Sequence, residues 1–69
     1  MRAPIDEPIL QFFQWDHLPA HLARASRPFG LLAYEVVETL PRNTERAEAL
    51  RLLLKAKDAA VRAVLYKEG

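Results

Sequence analysis

From residue 29 onward the apolar positions fall three and four apart. Phe29, Leu32, Ala33, Val36, Val37 and Leu40 follow the i, i+3, i+4, i+7 rule, while Glu35 and Glu38 lie off that face. The pattern predicts an amphipathic helix that Pro41 closes. Ser26 followed by Pro28 marks its start, because a serine oxygen accepts an orphan amide and proline lacks the amide that would go unused. The stretch "PRNTER" then predicts a tight connection. Asn43 or Thr44 caps the next helix, and Glu45 stands in its first turn, where the helix dipole favours negative charge. From that cap to Lys67 there is no glycine or proline, and roughly two dozen helical residues span about 36 Å.

This long helix has three distinguishable faces. Leu50, Leu53, Leu54, Val61, Val64 and Leu65 form an apolar stripe; Ala49, Ala56, Ala59, Ala60 and Ala63 form a small-residue region; Glu48, Arg51, Lys55, Asp58 and Arg62 form a polar stripe. A partner helix of about 13 residues covers only part of such a surface, so another subunit is expected on the alanine side, where backbones approach closely. The other reading is that the alanines are there as strong helix formers.

Upstream the pattern is less regular. Residues 1–11 carry two prolines and two acids around Ile5, Ile9 and Leu10, and read as an extended lead-in. "DHLPAHLARAS" reads as a short helix, with Asp16 or His17 near its start, Pro19 in its first turn, and Ser26 and Pro28 interrupting it. The expected fold is therefore all-α: one domain over residues 12–69, with a short N-terminal helix followed by an antiparallel αα-hairpin, assembled as a homo-oligomer. Counting outward from the turn sets Pro28 beside Ala56 to Ala59. The end of the long helix then overhangs, with residues 15–24 beside it.

Composition adds a constraint on stability. At 69 residues, a chain buries only about 60% of the surface its unfolded form exposes, so a monomer is marginal. There is no cysteine, which removes disulfides and thiolate zinc sites, fits a reducing cytoplasm, and leaves self-association as the means of enlarging the core. Hydrophobic residues make up 51% and charged residues 28%, with a formal net charge of +1, so the chain is expected to fold. Apolar runs such as "GLLA" fall far below the roughly 18 residues of a membrane span, and "MRAPIDEPIL" has no apolar signal-peptide core. An untargeted cytoplasmic protein without a membrane partner is expected. Nine acids dispersed among ten bases give no basic stripe, which argues against long nucleic acid as a partner.

Enzyme signatures fail. No Gly-rich phosphate loop, HExxH, paired-carboxylate motif or nucleophile elbow is present, and no cofactor or catalytic residue is expected. His17 and His21 are four apart with Asp16 nearby, but Pro19 between them breaks the shared helical face a metal site needs, so His17 is read as a capping, packing or ligand-contacting residue. Phe12, Phe13 and Trp15 either staple the open end of the hairpin or offer a ring, from Trp15, to a nucleobase. Arg24 and Arg27, three apart near a helix start, are either solvated or a phosphate grip. Arg62, Tyr66 and Lys67 are the residues at the far end of the long helix that would join such a site. Lys57 interrupts the leucine and valine stripe, either snorkelling to water or pairing with Glu35 or Glu38.

The stretches "WDHLPAHLARASRPFGLLA" and "LPRNTERAEALRLLLKAKDAAVRA", over about residues 12–65, resemble the helical-hairpin domain of phage and prophage anti-CBASS sponges, shared with the hairpin of anti-Thoeris sponges. The resemblance implies a non-catalytic immune antagonist that assembles as a homo-oligomer, typically a hexamer, in the host bacterial cytoplasm and buries cyclic di- or trinucleotides between subunits. It assigns base stacking to Trp15, phosphate binding to Arg24 and Arg27, and a further contact to Arg62 or Lys67. The competing reading is a helical interaction module that docks a partner protein through its alanine-rich face.

Overall fold

The computed structural model describes residues 7–67. Within them a six-residue 3₁₀ helix, Pro8–Phe13, precedes two α-helices, α1 (Ala20–Thr39) and α2 (Thr44–Leu65), and there is no strand. Residues 1–6 of the expected lead-in lie outside the described residues. Over 8–11 the chain is helical rather than extended, and Leu10 is 5% exposed.

The largest departure from the sequence reading is at Ser26 and Pro28, which neither end nor start a helix. α1 runs unbroken for 20 residues with Pro28 inside it. Proline there removes the amide that would bond the Arg24 carbonyl, a loss of about 3 kcal/mol in a helix interior. Packing on both sides of the proline offsets it. Ser26, Gly30 and Ala33 form one buried face spanning the position, and Pro28 itself is exposed, so water can reach the orphaned carbonyl. Ser26 therefore caps nothing. It is fully buried in the helix body, and its hydroxyl has no hydrogen-bond partner among the described residues.

The start of α1 also differs. Pro19 is the residue before the helix, with no side-chain cap, and its carbonyl accepts from the amides of Leu22 (3.0 Å) and Ala23 (2.8 Å). Asp16 and His17 lie in the turn ahead, where the Leu18 amide donates to the Trp15 carbonyl at 3.1 Å. Residues 20–24 are the first turns of α1 itself, continuous with the rest of the helix, and not a separate short helix.

The connection follows the sequence closely. The Leu40 backbone leaves α1 in extended conformation ahead of Pro41, and Asn43 caps α2 by accepting from the Arg46 amide at 2.8 Å. Glu45 occupies the first turn, and α2 ends at Leu65, shortly before Lys67. Arg46 is 8% exposed, and its guanidinium donates to the carbonyls of Val37 and Leu40, each at 3.1 Å. These are carbonyls that the end of a helix leaves without intrahelical donors.

All three helices contribute to the core. Leu10, Phe13, Ala33 and Leu50 are buried, and Ile9, Phe29, Tyr34, Val36, Val37, Leu53 and Leu54 pack around them. The core is displaced towards the connection. The buried residues of α2, Arg46 and Leu50, both belong to its first two turns. Farther along, Val64 and Leu65 are 44% and 54% exposed. Of the expected face of α1, Leu32 is 46% exposed because Ser26 and Gly30 take inward positions instead, and Leu40 has already left the helix. The radius of gyration is 13.1 Å, against about 11 Å for a compact chain of this length, and the principal extents are 44 × 28 × 16 Å.

Candidate functional site

Unbroken helix in α1 creates the site. Ala20, Ala23, Arg24, Arg27 and Leu31 follow one another at three- and four-residue steps, so a continuous α1 aligns them on one face. The N-terminal strap, residues 7–16, brings Trp15 against that face. Trp15, Arg24, Arg27 and their neighbours Ala20, Ala23, Pro28 and Leu31 line an open groove of about 670 Å³. A second groove of about 420 Å³ adjoins it, sharing Trp15 and Leu31 and adding Gln14, Asp16 and Tyr34.

Gly30 sets how close Trp15 comes. A β-carbon at Gly30 would stand 2.5 Å from Cζ3 of Trp15 and 2.6 Å from the Phe13 carbonyl oxygen, inside any permissible contact. Only glycine admits this approach of strap to helix. The three aromatics therefore divide. Phe13 is fully buried, Phe12 is 56% exposed, and Trp15 is half-buried, with one ring edge on Gly30 while the residue also lines both grooves.

Arg24 and Arg27 are exposed, and neither has an acidic partner among the described residues. Two free guanidiniums beside an indole present bidentate donors and a π-surface to the same volume, a combination suited to a ligand carrying phosphate and base. Asp16, eight residues before Arg24, lines the adjoining groove instead.

The remaining predicted residues lie elsewhere. His17 is exposed in the turn before α1 and lines neither groove. Arg62 is in the last turn of α2, and Tyr66 and Lys67 follow it; Tyr66 is 72% exposed, and none of the three lines either groove. Lys57 has a side chain only 14% exposed, and its ammonium meets Asp58 of its own helix at 2.9 Å. Among the described residues no three His, Cys, Asp or Glu side chains gather as a metal site would require, and no helix is long and apolar enough to cross a membrane.

Ala20, Ala23, Pro28 and Leu31 were missed as lining residues. Their signal was the helical spacing with Arg24 and Arg27, which is visible only when Pro28 is read through rather than as a boundary. Compared with known proteins, the chain matches no family model, no curated protein and no solved structure.

Proposed function

We propose that the chain is a non-catalytic binding protein that sequesters a small ligand of bases and phosphates, with a cyclic di- or trinucleotide messenger as the occupant. The observation that carries this reading is a single groove walled by a half-buried tryptophan and two unpaired arginines. A base stacked on Trp15 contributes about 1–3 kcal/mol without sequence readout. Arg24 and Arg27 grip phosphate oxygens, and no proton transfer or bond cleavage is needed. The biological role that fits is that of a phage or prophage sponge, withholding the messenger from CBASS-type or Thoeris-type effectors in the bacterial cytoplasm.

In this reading α1 and α2 form an antiparallel hairpin that self-associates, as a hexamer in the resembling family. Exposed Leu31, Leu32, Leu52, Val64 and Leu65 supply apolar surface for that contact. Arg62, Tyr66 and Lys67, which do not line the groove of their own chain, complete the site on a neighbouring copy. Sites built between rigid subunits lose little freedom on binding, which suits high occupancy at low messenger concentration. Calorimetric titration with a panel of cyclic di- and trinucleotides tests the reading. Heat with at least one, and recovery of that ligand chemically unchanged, is expected; no heat with any at micromolar protein refutes it.

A second reading has its own observation. Ala49, Ala56, Ala59 and Ala63 are all exposed along α2, as a surface for docking a partner protein would require. Light scattering separates the two, since a stable monomer that gains order only with a protein partner favours docking.

A further inference from the structure

The Glu7 carboxylate is paired with the Arg46 guanidinium, their side chains 15% and 8% exposed, at the connection between α1 and α2. Glu7 also opens the 3₁₀ helix, its carbonyl accepting from the Leu10 amide at 3.0 Å. A 3₁₀ segment this short is a poor structure by itself, so the strap takes its place from what it is fastened to. It is fastened by a charged pair at Glu7 and, farther on, by apolar packing at Leu10 and Phe13, the latter fully buried with its carbonyl against Gly30.

Apolar packing alone leaves a short rod free to roll by small amounts, whereas a directional ion pair at its leading end fixes its rotation. Trp15 lies just beyond the second fastening, against a backbone with no room for a β-carbon, so a small rotation of the strap lifts the ring from its seat. We infer that Arg46 is a positioning residue for the candidate groove: through Glu7 it sets the strap, and through the strap it sets Trp15. The same guanidinium holds the Val37 and Leu40 carbonyls. The connection end of the helices and the ligand-facing ring are thereby tied to one side chain that touches no ligand. This rests on the reading that Trp15, Arg24 and Arg27 hold the ligand, but its structural half can be tested without one.

Trp15 is the only tryptophan in the chain, so its fluorescence reports the strap alone. Glu7→Gln removes the charge while leaving both Arg46–carbonyl bonds in place. The expected result is greater acrylamide quenching of Trp15, unchanged helical circular dichroism, and about tenfold weaker calorimetric binding of cyclic di-AMP, the loss associated with one charge-assisted bond. Glu7→Asp, which keeps the charge on a shorter arm, should fall between wild type and Glu7→Gln in both readouts. Unchanged quenching in Glu7→Gln would overturn the inference, and so would loss of helix, which would make the pair a requirement for folding. If the wild type takes up no cyclic di-AMP, the ligand assignment loses support while quenching still decides the role of Arg46.

Discussion

The six-membered edge of Trp15 rests on the bare backbone of Gly30, with Cζ3 and Cε3 only 2.5 and 2.6 Å from where a β-carbon would stand. Gly30→Ala tests this contact with opposing terms. Alanine favours a helix interior by about 1 kcal/mol over glycine, but the methyl meets both the ring and the Phe13 carbonyl, and overpacking of this kind costs about 1–3 kcal/mol. The clash should win. A lower melting temperature and red-shifted Trp15 emission are expected; a higher melting temperature with unshifted emission would show that the strap yields without cost.

Pro28→Ala should act in the other direction. Restoring the amide returns a donor to the Arg24 carbonyl inside α1, and relief of proline's interior penalty is worth up to about 3 kcal/mol. Chemical denaturation should show the variant more stable than wild type. Equal stability would mean that α1 already accommodates the proline fully.

Phe12 and Phe13 are neighbours with different duties. Phe13→Ala empties a fully buried position and should cost about 3–5 kcal/mol. Phe12→Ala, at a side chain 56% exposed, should stay within about 0.5 kcal/mol of wild type. Comparable losses from both would contradict the placement of the strap.

Arg24→Ala and Arg27→Ala remove exposed, unpaired side chains, so thermal unfolding should change little. Binding of a cyclic dinucleotide should weaken about tenfold or more for each, the worth of a charge-assisted phosphate contact. Wild-type affinity in the double variant would move the ligand out of this groove.

Ala59→Glu and Ala63→Glu put charge on the exposed small-residue side of α2 without touching the groove. If that side is where copies meet, multi-angle light scattering should show a lower mass for both. An unchanged mass would place the self-contact elsewhere.

The sequence made the second half of the molecule legible because the signals there are local. Asn43 caps where an asparagine before an acidic first turn should, Pro41 follows the end of α1, and the uninterrupted run after it is helix to Leu65. The middle was misread because proline and serine carry strong local meanings that tertiary packing overrode. Neither residue announces that Gly30 and Ala33 will bury the same face of α1 as Ser26 does, and that burial is what keeps the helix whole across Pro28.

The candidate site was legible in part. Trp15, Arg24 and Arg27 do share a groove, and their proximity in sequence was the clue. The pairing of Glu7 with Arg46 joins residues far apart in the chain, and no periodicity or short motif encodes such a contact. Lys57 went to Asp58, its immediate neighbour, a pairing that helical face arithmetic does not favour.

The slab shape has a consequence of its own. Extents of 44 × 28 × 16 Å describe an elongated, flattened molecule. Domains ordinarily enclose their interior between two layers. Here the 3₁₀ helix of the strap packs on both α-helices, while Val64 and Leu65 in the last turn of α2 remain uncovered. α2 is thus covered over its first two turns and bare at its last, and the bare end is where further mass added from outside would bury most.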